Sequence, residues 1–364
     1  MLSPILVELG RTYSLGKAQV QMLPALVAVF GSVAQPLLGV VGDRVGRRWL
    51  IAFGTAWAGL FMCSVGFAPN LPCLVALLIL GAAGVSAFHP NAASLATTSA
   101  TRRGLSFATF LTGGAVGLAA APLVVTQLVA RTGGLRQLLW LCLPGFALAA
   151  VLAARLPRTA SRTADSPRPD WGELIGRGSG VLWLLFAVVA LRSATFSALN
   201  SFMGHLCEER GWSLSQRGVA LSVFLTAGAG GGMLGGWLSD LTNRRVMLVA
   251  SSLAAGPLLV GFALSHEFAQ ALLFLVSGGL VVSLAGPMLV VIAQDLCPSN
   301  QSAASGMMMG LAWGVAGVAL PLIGKVAEVE TIQTSGALAG VALLTVVAGL
   351  LALLLPSIEA RRLS

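Results

Sequence analysis

Charge is scarce in this sequence. Asp, Glu, Lys and Arg make up 10% of the residues and apolar side chains 56%, with a mean hydropathy of +0.88. Soluble domains carry about 25% charged residues, and no soluble fold of this length hides so much apolar sequence. The cysteines at 63, 73, 142, 207 and 297 are odd in number and show no paired spacing. That argues against a disulfide framework and against a metal cluster. The glycine run from Gly228 to Gly236 lacks a Gly-Lys-Ser/Thr ending, so ATP is not the expected energy source. No Ser-His-Asp set and no metal-ligand spacing occur, and neither an enzyme nor a cofactor is expected. Finger spacings, a basic helix and an aromatic RNA platform are also missing, so the net charge of +9 does not indicate nucleic-acid binding. A signal peptide is disfavoured, because the first residues offer no basic stretch and no small-residue cleavage site.

Long apolar runs fill the rest. Only helices or closed barrels satisfy their backbone in lipid, and these runs are too long for barrel strands. Eleven full spans are expected at about 18–41, 49–67, 71–97, 104–130, 135–154, 180–206, 214–240, 246–264, 268–294, 301–326 and 336–355. Met1 to Gly10 is apolar but half a span long, and is expected to be a shortened first helix that keeps Glu8. The polar segment from Leu156 to Arg177 predicts a cytoplasmic linker, with a short interfacial helix over 170–176 anchored by Trp171. The expected domains are therefore 1–155, a linker 156–177, and 178–364. With Asp43 placed in the cytoplasm, that side collects arginines 44, 47, 48, 102, 103, 155, 158, 162, 168, 177, 244, 245, 361 and 362. This is twice the basic residues of the other side, namely Arg11, Lys17, Arg131, Arg136, Arg210, Arg217 and Lys325. The asymmetry follows the positive-inside rule.

One polar stretch organises the chain: Gly39-Val40-Val41-Gly42-Asp43-Arg44-Val45-Gly46-Arg47-Arg48, read as a ten-residue hinge between two spans. A degraded copy begins at Gly236, with Asp240, Arg244 and Arg245 at the same offset of 197 positions, Leu241 in place of Arg44 and Asn243 in place of Gly46. Pro90 and Pro287, and the glycine pairs Gly113/Gly117 and Gly310/Gly314, repeat at that distance too. Two halves of one plan are implied. The hinge and its echo resemble the signature loop of the major facilitator superfamily of secondary transporters. Ala87-Phe88-His89-Pro90-Asn91-Ala92-Ala93, with Gly113 to Pro122, resembles the fosmidomycin-resistance group of bacterial exporters within it. Gly113 to Pro122 also resembles a fifth-span motif associated with antiporters.

The resemblance implies an all-α polytopic fold of two pseudo-symmetric six-helix bundles, placed in a bacterial inner membrane with the linker and C-terminus cytoplasmic. It further implies that Gly39, Asp43, Arg44, Gly46, Arg47 and Arg48 latch the halves in one state, with Asp240, Arg244 and Arg245 as a looser second latch. From the residues themselves, Arg192 stands in mid-span, where an unpaired charge costs several kcal/mol. It is expected either to meet an anionic substrate or coupling group, or to clamp helices by hydrogen bonds. Thr195, Phe196 and Asn200 follow along α-helical spacing. His89 is the proton candidate, since imidazole titrates near neutrality, although a histidine satisfied by a carbonyl would look the same in sequence. Gln35, Asn91 and Trp313 are further cavity candidates. Gly113, Gly117, Pro122, Gly310 and Gly314 are expected in close helix packing, and His205 is expected to be solvated or interfacial near the outer end of its span. The expected function is export of a small amphiphilic or anionic compound by proton antiport, through a monomer in contact with lipid. An importer or uniporter of sugars or organic acids, or a non-transporting membrane sensor or scaffold, are the alternatives.

Overall fold

The computed structural model describes residues 2–98, 103–157, 176, 179–297, 304 and 307–356. A 3-10 turn over Ser3–Ile5 leads into α1 (Leu6–Thr12), followed by α2 (Lys17–Val45), α3 (Arg47–Cys63), α4 (Leu71–Thr98), α5 (Arg103–Thr132) and α6 (Cys142–Arg155). The second half holds α7 (Gly180–Glu209), α8 (Leu214–Leu241), α9 (Arg244–Leu264), α10 (Phe268–Ser283), α11 (Gly286–Leu296), α12 (Ala312–Ala327) and α13 (Gln333–Ala352). Among the described residues, nine helical stretches are long and apolar enough to cross a bilayer. α2 has 29 residues, about 43 Å at 1.5 Å per residue, and α12 is a shorter apolar helix. Most of the expected linker, including nearly all of the expected helix over 170–176, lies outside the described residues.

Local chemistry sets the helix starts. Gln19 accepts the Gly16 backbone N–H ahead of α2 at 3.0 Å. Ser213 and Gln216 cap one another's backbone N–H ahead of α8, a reciprocal capping box. Asn243 accepts the N–H groups of Arg245 and Val246 to begin α9.

Two expectations change. The ten-residue hinge is helical for most of its length: α2 runs to Val45, and only Gly46, at φ +104°, turns the chain before α3. That backbone conformation disfavours any residue with a Cβ. In the second copy the corresponding residue, Asn243, has φ −66° and acts as the cap, so the glycine lost there is not needed. The span expected over 268–294 is two helices, interrupted at Leu284–Ala285. Pro287 cannot donate to the helical ladder, and Gly286 beside it weakens helix formation further. Its counterpart Pro90 follows His89 and is carried inside the continuous α4.

The offset of 197 maps α2 onto α8, α3 onto α9, α4 onto α10 and α11, and α5 onto α12 with its preceding π turn (Met307–Leu311). It maps α1 onto the last turns of α7. Within the first half α3 packs on α4 and α6, and α2 on α4. Within the second half α9 packs on α13 and α10, and α7 on α13 and α12. Among the described residues, extensive contact between the halves runs from α2 to α12 and from α5 to α8, which are pseudo-equivalent pairs. Asn200 donates to Ser3 Oγ at 2.9 Å and Arg11 bridges Glu208. Each of these pairs joins residues related by the repeat itself, which can touch only near the pseudo-twofold axis. α1 and the end of α7 therefore flank that axis.

Candidate functional site

The two ends of the bundle differ. At the end where α2 begins, the halves are sealed. Arg217 on α8 meets Glu8 at 3.4 Å, Arg11 bridges Glu208 and Lys17 bridges Glu209. Lys17 also donates to the Ala327 carbonyl at 3.2 Å, Glu328 accepts the Ala18 N–H at 2.9 Å, and Thr334 donates to Glu209 at 2.7 Å. Packing closes what the charges span. A Cβ on Gly324 would lie 2.5 Å from Ala18 Cα, and one on Gly218 would overlap the Thr126 hydroxyl. Pro122 interrupts the ladder of α5, and next to it the Leu123 N–H donates across to Ser222 Oγ at 3.1 Å.

Contact between α2 and α12 continues to mid-depth, where Ser32 donates to the Gly310 carbonyl at 3.4 Å and lies 3.8 Å from where a Cβ of Gly314 would stand. The candidates expected to line a cavity separate into two groups. Phe196 on α7 is half-buried and packs edge-to-face on Trp313 at 5.6 Å and against Phe224 at 5.4 Å. Trp313 remains 44% exposed. On α4, Ser86 and Asn91 bond carbonyls of α2, Ala87 packs on Gly54 of α3, and Phe88 meets Phe110 of α5. At about 100° per residue this leaves His89 in the sector away from α3, between α2 and α5. Those are the two helices of the first half in extensive contact with the second. His89 is exposed there.

The second group is enclosed. Arg192 is 5% exposed and donates to Ser252 Oγ on α9 and to the Val282 carbonyl on α10. These are the contacts of the helix clamp rather than of a group turned to the cavity. Thr195 is buried, donating to the Val341 carbonyl at 2.9 Å. Asn91, 1% exposed, ties α4 to α2 through the Leu38 carbonyl, and Gly42 faces it so closely that a Cβ would overlap its amide. Asn200 is held by Ser3, and Gln35 is half-buried on α2. His205 is 7% exposed with Nδ1 unpartnered among the described residues, so of the solvated and interfacial positions expected for it the solvated one is corrected.

Of the latch residues, Gly39, Asp43, Arg44 and Asp240 lie on helical backbone, and their side chains are outside the described residues. Arg48 stacks over Trp49 at 5.2 Å. Arg244 pairs with Asp295 at 2.9 Å and Arg245 donates to the Leu353 carbonyl, so the second latch ties α9 to α11 and α13 within its own half. Among the described residues, a Cβ at Gly113, Gly117 or Gly310 would meet nothing within 4 Å, so the close packing expected there is not seen among them. Gly231 and Gly235 do pack hard, against the Leu280 and Leu284 carbonyls beside the break after α10. Arg217, Glu208, Glu209 and Asp295 were not among the expected site residues. Opposite charge at the repeat offset, Arg11 against Glu208, is the signal that points to the sealed end. No group of His, Cys, Asp and Glu suited to a metal occurs among the described residues.

Two repeated helical halves around a shared axis, closed at one end, define a polytopic membrane transporter. Residues 1–321 match the model of the Major Facilitator Superfamily, and the chain belongs to that superfamily. It is 26% identical over 359 residues to the MFS-type transporter YfnC of Bacillus subtilis (strain 168), covering 96% of this chain and 87% of YfnC. To the fosmidomycin resistance protein of Escherichia coli (strain K12) it is 25% identical over 333 residues, 88% of this chain and 80% of that one. Among solved structures, an inward-facing, unoccupied bacterial homologue of the human lysosomal transporter Spinster superposes with a TM-score of 0.79 at 15% identity, covering 97% and 92% of the two chains. The nucleoside transporter NupG gives 0.76 at 15% identity, covering 97% and 93%. The fold and family are those of a non-enzymatic secondary transporter that moves a small molecule by alternating access.

Proposed function

We propose that this chain exports a small amphiphilic or anionic organic compound in exchange for protons, and that the conformation described here is open to the cytoplasm. The observation that carries this reading is the asymmetry of the interface. Three ion pairs and two tight helix contacts close one end, while His89 and Trp313 stay exposed. The excess of arginine on the Asp43 side supports a cytoplasmic position for that end under the positive-inside rule. Trp313 and Phe196 supply an aromatic wall for the apolar part of a substrate, and His89 a titratable contact for its polar part. Arg192, already held by Ser252 and Val282, acts as a clamp that supports this wall. The likeness to the fosmidomycin resistance protein supports membership of that exporter group. Asp43 with its arginines then serves as the latch of the opposite, outward-open state, and one monomer contains the whole path.

The test uses sealed proteoliposomes containing a trapped pH-sensitive dye and a panel of anionic and amphiphilic compounds. Compound-dependent proton flux is expected from the intact chain, reduced in His89→Ala. Counterflow of compound with no proton movement would overturn antiport in favour of a uniporter.

A further inference from the structure

The Glu8–Arg217 bridge differs from its two neighbours. Its side chains are 18% and 11% exposed, against 65% and 25% for Arg11 and Glu208. It is also long and one-sided: Oε1 stands 3.4 Å from Arg217 Nη1, while Oε2 is buried with no partner among the described residues. A carboxylate oxygen stripped of water and given no donor is costly, and a proton on that oxygen removes the cost. The charged and titratable groups around it come from four helices. They are Arg217 on α8, also bonded to the Trp212 carbonyl, Arg11 on α1, Lys17 on α2, and His205, Glu208 and Glu209 on α7. Glu208 and Glu209 are taken up by Arg11 and Lys17.

We propose that Glu8 is the group through which protons at the sealed end control its closure, a proton on Oε2 favouring the sealed state and its loss favouring opening. The inference rests on the antiport reading. It supplies a step for it: the emptied, outward-open carrier takes a proton from the outer medium and closes, and the end reopens once that proton has left to the cytoplasmic side. α1 has seven residues and is not among the stretches long enough to cross a bilayer, and burial there pushes the Glu8 carboxyl above its ordinary 4.5, outweighing its own backbone, Arg217 and Arg11, which lower it. When the end opens, water reaches the carboxyl and that elevation is lost. The sealed state therefore binds the proton more tightly. Its added stability is full below the ordinary carboxylate range and is lost as pH rises through the sealed-state value.

The test measures distances by electron spin resonance between labels at Thr132→Cys and Gln270→Cys, exposed residues on opposite halves at this end, with the native cysteines replaced. The sealed fraction is expected to rise as pH falls. Glu8→Gln should be sealed at every pH. Arg217→Gln, which removes the nearest opposing charge, should raise the midpoint by about 1 pH unit. Glu208→Gln, which weakens the more exposed bridge, should keep the pH response. A fixed ion-pair lock demands the reverse, an open Glu8→Gln protein. That outcome, or a flat response in the unmodified protein, overturns the proposal. Should Glu8→Gln fail to fold by size exclusion, the Arg217→Gln midpoint decides alone. Intact substrate-driven proton flux with no pH response would remove Glu8 from the mechanism and leave antiport standing. An intact response with no flux would do the opposite.

Discussion

Replacing Arg192 by alanine separates a clamp from a substrate contact. The side chain is 5% exposed, and its two hydrogen bonds reach α9 through Ser252 and α10 through Val282. Val282 stands one residue before α10 ends, where Pro287 has interrupted the helical ladder. Hydrogen bonds from a charged donor contribute about 1.5–3 kcal/mol each. Removing both costs roughly 3–6 kcal/mol, and relief of an enclosed charge with no acidic partner gives back part of that. A net loss of about 2–4 kcal/mol is expected. The assay is thermal unfolding of purified protein beside substrate binding to the same preparation. Arg192→Ala should melt earlier, bind substrate within about threefold of the unmodified affinity, and be only partly rescued by Arg192→Lys, whose single ammonium lacks the planar fork. A tenfold or greater loss of affinity with an unchanged melting temperature would refute the clamp and restore Arg192 to the substrate site.

Gly42→Ala should destabilise the protein by about 1–3 kcal/mol, because its Cβ overlaps Asn91. The double change with Asn91→Ala should recover most of the loss, and wild-type melting of the single variant would contradict that packing. Gly324→Leu cannot keep α12 against Ala18 and should shift the distance distribution across the sealed end toward open; an unchanged distribution would mean that α2–α12 packing does not set the seal. Trp313→Ala removes the exposed partner of Phe196 and should weaken binding of an aromatic or amphiphilic substrate about tenfold, roughly 1.4 kcal/mol. Unaltered affinity would place the substrate elsewhere.

The membrane fold was legible in the sequence because lipid leaves the backbone few choices, and the repeat was legible because Asp43, Gly113 and Pro90 recur at one offset. The break at Leu284–Ala285 was not, since Pro90 and Pro287 look equivalent and differ in outcome through the neighbour, His89 or Gly286. The site was read less well for a similar reason. A lone Arg192 in an apolar span signals that a partner exists but not which kind. The partners found, a serine hydroxyl and a main-chain carbonyl, leave little trace in composition. Asn91 and Thr195 likewise satisfy carbonyls of adjacent helices and carry no mark that distinguishes packing from cavity lining. The sealed end did carry a mark. Arg11 and Glu208 occupy equivalent places in the two repeats with opposite charge, and equivalent residues meet only at the pseudo-twofold axis. Where a repeat inverts charge at one position, that position is therefore a candidate for contact across the axis. Ser3 and Asn200, a polar pair at the same offset, meet the same condition about two helical turns deeper and mark how far the contact along α1 and α7 extends.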